Sequence, residues 1–174
     1  MMLPPQQIVD HLRASDNFLV VSHVAPDGDA LGSMLAMGEL LRALDKHVRL
    51  FNESGIPQRF MWLKPEWDIL RELPADEPAT IIVLDCGAPE RAGARMAPWL
   101  DSKTVVNIDH HLGNPHFGTM NWVEQRTSSV GEMVGVLARE LGVPLAGLLG
   151  EYIYLALISD TGDFCFNNTR PETL

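Results

Sequence analysis

Short unbroken apolar runs constrain this chain most. Residues 80–84 read Thr-Ile-Ile-Val-Leu and residues 18–21 read Phe-Leu-Val-Val, so neither offers water a polar face. Strands of this kind need cover on both sides, as in a parallel sheet flanked by helices. A third run at 103–108 and shorter ones at Val48–Phe51 and Met120–Val123 bring the expected strands to five. Between the first two strands, Leu31, Met34, Leu35, Met37, Leu40, Leu41 and Leu44 recur at the three- and four-residue spacing of an amphipathic helix. Further helices are expected before residue 17 (Ile8, Val9, Leu12), over 89–100, and over 144–160. Another is capped by Ser128 or Ser129 and stopped by Gly142, with Glu132 placed to complete a capping box with Ser129. Residues 55–76 are less regular, with Phe60, Met61, Trp62 and Trp67 suggesting one or two short packing helices. The alternation predicts an α/β fold, a mostly parallel five-stranded sheet with helices on both faces.

In such a sheet all strand carboxyl ends lie along one edge, where ligands bind. The chain loads that edge with acids and imidazoles. The first strand runs into His23, Asp27 and Asp29; the strand at 80–84 runs into Asp85; the strand at 103–108 runs into Asp109, His110 and His111. Asp160, bordered by Gly162, closes the last helix, where the macrodipole opposes an acid. Topology thus gathers His23, Asp27, Asp29, Asp85, His110 and Asp160, with Asp109 and His111 beside them. Carboxylates this crowded repel one another unless cations sit between them. Mixed nitrogen and carboxylate donors suit two divalent first-row cations, manganese first, with cobalt or iron(II) also fitting; magnesium prefers oxygen donors alone. Asp85, alone at the end of a central strand, is the candidate bridging carboxylate, and Asp109 the candidate for orienting a histidine. Plainer readings stand beside these: a core histidine at His23, turn formers at Asp27 and Asp29, a helix terminator at Asp160.

The net charge of −10 argues against a broad basic grip on long duplex DNA, while leaving small anionic substrates open if metal supplies the positive charge. Cys86 and Cys165 form no disulfide framework and read as buried free thiols. No charged-then-apolar leader opens the sequence, and the apolar stretch at 145–159 is interrupted by Glu151, so a cytoplasmic protein with no membrane partner is expected.

At Asp109-His110-His111 the chain resembles the DHH phosphoesterase superfamily. His23-x-x-x-Asp27-x-Asp29 is similar to its first motif, Leu84-Asp85 to its second, Asp109-His110-His111 to its third and Ser159-Asp160-Thr161 to its fourth. The stretch from Pro26 to Ser33, with Asn114, Phe117-Gly118, Asn121-Trp122 and Ser128-Ser129, resembles the nanoRNase branch, which degrades very short RNA and dephosphorylates phosphoadenosine phosphate. The resemblance implies one metal on His23, Asp27 and Asp85, a second on Asp29, Asp85, His110 and Asp160, and His111 facing substrate phosphate. It also implies a smaller substrate-binding domain following a DHH catalytic domain; residues 1–174 are expected to be the catalytic domain alone. Dimers are expected by analogy only.

The expected activity is metal-dependent hydrolysis of short RNA oligonucleotides or nucleotide phosphates by a hydroxide held between two cations. Asp109 and His111 are the catalytic candidates, and Arg126 and Arg170, chosen for nearness in sequence, the further phosphate contacts. The alternatives are an inorganic pyrophosphatase, a single-strand DNA exonuclease (disfavoured by the acidic balance), and a metal-binding half-enzyme inactive without its second domain.

Overall fold

A computed structural model describes residues 3–174; Met1 and Met2, where the leaderless start is read, lie outside the described residues. The elements are α1 (Gln6–Ala14), β1 (Phe18–Ser22), α2 (Gly28–Ala43), β2 (Val48–Phe51), β3 (Ile69–Leu70), β4 (Thr80–Leu84), α3 (Ala97–Ser102), β5 (Thr104–Asp109), β6 (Met120–Val123), α4 (Val130–Glu140) and α5 (Gly147–Asp160). The strands form one sheet of order β3-β2-β1-β4-β5-β6, every neighbouring pair parallel. Six strands replace the five expected. The extra one, β3, pairs only Ile69 and Leu70 with β2, too short to carry any periodic pattern.

Alternate residues of each strand face opposite layers. Phe18, Val20, Ile82, Leu84, Val106 and Ile108 join the core formed with α1, α2, α4 and α5. Leu19, Val21, Ile81, Val83 and Val105 pack with Ala92, Met96, Trp99 and Leu100 on the other face. The strand order reverses direction between β1 and β4, and such a reversal opens a crevice at the carboxyl edge of the sheet.

Some helices depart from expectation. The helix expected over 89–100 is two pieces, a 3-10 turn at Pro89–Ala92 and then α3, because Gly93 sits at φ +105 between them. The helix α2 is not amphipathic: residues 28–41 are buried all round, between the sheet on one side and α4 and α5 on the other. Ser129 does cap α4, its Oγ accepting from the Glu132 amide at 3.0 Å, but the Glu132 carboxylate reaches back to Ser128 instead. Both cysteines are free, and Cys165 is exposed rather than buried. No helix among the described residues is long and apolar enough to cross a membrane.

Candidate active site

His23 follows β1 and is 5% exposed. Its Nδ1–H donates to the Val24 carbonyl at 2.9 Å, which leaves the Nε2 lone pair for another partner. The backbone carbonyl of His23 accepts from buried Asn52, at the end of β2, at 2.9 Å. Nε2 lies 3.7 Å from Asp27 Oδ2 and 3.6 Å from Asp85 Oδ2. Asp27 is the N-cap of α2, its Oδ1 accepting from the Ala30 amide at 3.0 Å.

Asp29, in the first turn of α2 and 1% exposed, accepts from the first two amides of α4: Val130 N–H to Oδ2 at 2.7 Å and Gly131 N–H to Oδ1 at 3.0 Å. A helix N-terminus is a favourable place for that charge. His110 sits on a carbonyl too, Nδ1 with Thr127 O at 3.4 Å, and presents Nε2 to three carboxylates. These are Asp85 Oδ1 at 3.6 Å, Asp29 Oδ2 at 3.8 Å and Asp160 Oδ2 at 3.8 Å. Asp85 therefore turns one oxygen to His23 and the other to His110. Its backbone is left-handed, at φ +58, a conformation aspartate tolerates better than most residues.

These separations are too long for hydrogen bonds, yet they match donors that share one cation bound at about 2.0–2.2 Å. His23 Nε2 and Asp85 Oδ1 are buried and have no hydrogen-bond partner. Buried polar atoms of that kind are costly, and here they point at each other's neighbours around the same space. The donor set fits divalent metal. Three groups of donor atoms each lie within 4.8 Å of one another: His23, Asp27, Asp85; Asp29, His110, Asp160; and Asp85, His110, His111. His111 is otherwise engaged. Its Nδ1–H donates to Asp109 Oδ1 at 2.8 Å, and its Nε2 accepts from Arg91 Nη1 at 3.3 Å. Asp109, fully buried, is held in turn by Asn114 Nδ2 at 2.6 Å.

Charge preferences follow from these contacts. Burial depresses the His23 imidazolium, but Asp27 and Asp85 outweigh it and lift its pKa to about 10. For Asp27, burial is outweighed by His23 and the Ala30 amide, which hold it at about 2. Burial and then the Asp85 charge raise Asp29 well above the carboxylate range, and the same pair of causes raises Asp160. The Asp109 bond raises His111. Burial opposes ionisation of Asp109, yet His111 and Asn114 keep it below its usual value.

The structure thus brings together His23, Asp27, Asp29, Asp85, His110 and Asp160, with Asp109 and His111 adjoining. It does not bring Arg126 or Arg170 to them. Arg126 bonds Glu124 and is largely exposed, Arg170 pairs with Glu132, and both line a cavity of about 720 Å³ containing none of the six. Asn52 and Arg91 escape sequence reasoning; a polar residue directly after an apolar strand, as Asn52 is, was the available signal for one of them.

The model of the DHH family, N-terminal domain, matches residues 17–157. The chain is 34% identical over 157 residues to the bifunctional oligoribonuclease and PAP phosphatase NrnA of Thermus thermophilus, covering 89% of this chain and 46% of that protein. It is 31% identical over 174 residues to the like-named protein of Bacillus subtilis, covering 97% and 53%. The crystal structure of an exopolyphosphatase-related protein from Bacteroides fragilis superimposes with a TM-score of 0.86 at 28% identity, over 99% of this chain and 55% of that one. The chain spans about half the length of the curated relatives it matches.

Proposed function

The chain belongs to the DHH family, and from that membership we propose that it is a divalent-metal phosphoesterase domain acting on very short RNA and on phosphoadenosine phosphate. The observation that carries the reading is Asp85, whose two oxygens face two separate donor sets. His23, Asp27 and Asp85 would hold one cation; Asp29, Asp85, His110 and Asp160 would hold the other, with manganese the best fit to mixed donors. Bound there, paired divalent cations supply Lewis acidity to a phosphate oxygen and bring the pKa of a water toward neutrality.

The chain's own residues do the rest. Carbonyls of Val24 and Thr127 fix which nitrogen each ligand histidine offers. Asp109 keeps one proton on His111 Nδ1 and raises the ring's pKa, so Nε2, which accepts from Arg91 without substrate, can take a second proton for a phosphate oxygen that displaces that contact. Asn114 keeps Asp109 from swinging away. We assign the grip on the remainder of the substrate to a second domain of the kind that relatives about twice this length have room for.

The test is turnover of a dinucleotide, phosphoadenosine phosphate and pyrophosphate, by the chain alone and with the remaining half of a relative supplied in trans. Manganese-dependent release of mononucleotides and phosphate, lost in Asp85→Ala, is expected. Preference for pyrophosphate would replace this reading with a pyrophosphatase, and full activity in Asp85→Ala would overturn it.

A further inference from the structure

Resting on the phosphoesterase reading, we propose that Arg91 is the residue of this chain that takes the substrate's phosphate, through the guanidinium N–H groups its neighbours leave free. Arg91 lies in the 3-10 turn Pro89–Ala92, just beyond β4. Its carbonyl accepts from the Val24 amide at 2.8 Å, so its backbone ties the loop carrying His23 to the loop carrying Asp85. The side chain enters the site, with Nη1 3.3 Å from His111 Nε2. Among the described residues, no carboxylate comes within 4.0 Å of this guanidinium, although Asp27, Asp29, Asp85, Asp109 and Asp160 lie in the site beside it.

That arrangement is unlike a structural arginine. A guanidinium has five N–H donors in a planar fork, and the imidazole occupies one. The other arginines considered for phosphate are committed, Arg126 to Glu124 and Arg170 to Glu132. Arg59, near the first motif, donates to the Pro26 carbonyl. Arg91 is therefore a part-buried cation with free donors at the rim of an acidic site, and a phosphate oxygen is the partner that satisfies both charge and fork geometry. His111 Nε2 and Arg91 Nη1 would then flank the same anion.

The test measures binding of inorganic phosphate and of phosphoadenosine phosphate by calorimetry, in manganese and in chelator. It compares wild type with Arg91→Gln, Arg91→Lys and the control Arg95→Gln. Glutamine keeps a donor for His111 but loses the charge; Arg95 lies nearby and is already paired with Glu72 and the Arg71 carbonyl. Arg91→Gln should weaken phosphate binding about tenfold or more, the loss of one charge-assisted contact, with manganese affinity and melting temperature as in wild type. Arg91→Lys should fall between the two, and Arg95→Gln should bind like wild type.

Equal phosphate affinity in wild type and Arg91→Gln overturns the proposal, as does a loss that Arg95→Gln reproduces. Should glutamine lower the melting temperature, lysine decides: affinity above that of glutamine supports the proposal, and affinity no better sinks it. Manganese uptake by wild type, read in the same titrations, tests the phosphoesterase reading separately. Failure there removes that reading, while Arg91-dependence of phosphate binding in chelator is judged by the same comparison.

Discussion

Asp27 uses its two oxygens for different ends: Oδ1 caps α2 at Ala30, and Oδ2 faces His23. The turn-former and metal-ligand readings of this residue are therefore compatible, and the turn chemistry would help aim the oxygen offered to a cation. The protonation of these residues sets a sign for pH dependence. In metal-free protein, His23, lifted to about 10, contributes stability that is full below 6.5 and lost as pH rises through about 10. Asp27, held at about 2, contributes stability present above 3.8 and lost as pH falls through about 2. Asp29 and Asp160 run the other way: their folded carboxyls keep protons past 3.8, so each costs stability as pH climbs beyond that value. A cation needs all four deprotonated. Its uptake near neutral pH must release protons, His23 first among them, and its affinity must rise with pH. The melting shift caused by manganese should be larger at about pH 8 than at about pH 6, and titrations in buffers of unequal ionisation heat should register net proton release on manganese uptake. A shift that shrinks with pH would contradict the donor assignment.

The approach of α5 to α2 places Asp160, and it depends on glycine. A Cβ built on Gly32 would stand 2.6 Å from the Tyr152 carbonyl oxygen and 2.9 Å from the Ala156 nitrogen, both backbone atoms of α5 that cannot step aside alone. Gly32→Ala should therefore push the two helices apart and cost about 1–3 kcal/mol in urea unfolding. It should also carry Asp160 away from His110 while leaving His23, Asp27 and Asp85 in place. Calorimetric stoichiometry should drop from two manganese ions toward one; two undiminished sites would show that α5 does not need this contact. Little of this crossing was readable beforehand. Strands β1 and β4 stood out because they are buried on both faces and apolar nearly throughout, while β2, β5 and β6, interrupted by Arg49, Asn107 and Asn121, were legible from the apolar residues around those positions. The burial of α2 did not, since Asp29, Ser33 and Glu39 break its apolar pattern yet are buried; Glu39, for one, is satisfied by Arg42 and Trp67. A two-residue strand and a helix broken at Gly93 likewise carry no periodic signal.

Across the whole molecule, the order β3-β2-β1-β4-β5-β6 puts the two strands that lead into His23 and Asp85 side by side, and β5, which leads into His110, next to them. That is why all the donors but Asp160, which closes α5, were readable from strand ends: a parallel sheet converts residues that follow different strands into neighbours. Arginines carry no such rule. Their partners depend on which surface acid happens to be near, as Glu124 is to Arg126, so closeness in sequence said nothing about reaching the site. The same convergence would tie the fold's stability to the proposed cations. The folded chain concentrates acids that the unfolded chain disperses, so a metal held there would bind the native state preferentially and stabilise it by mass action, about 2.7 kcal/mol at a free concentration a hundredfold above Kd. Manganese should raise the melting temperature and chelator should reverse the gain. Asp85→Asn, which keeps the side-chain shape but weakens both donor sets at once, should melt at nearly the same temperature with or without manganese. If Asp85→Asn gains as much from manganese as wild type does, the ions bind elsewhere, and the two donor sets are not coupled through one carboxylate.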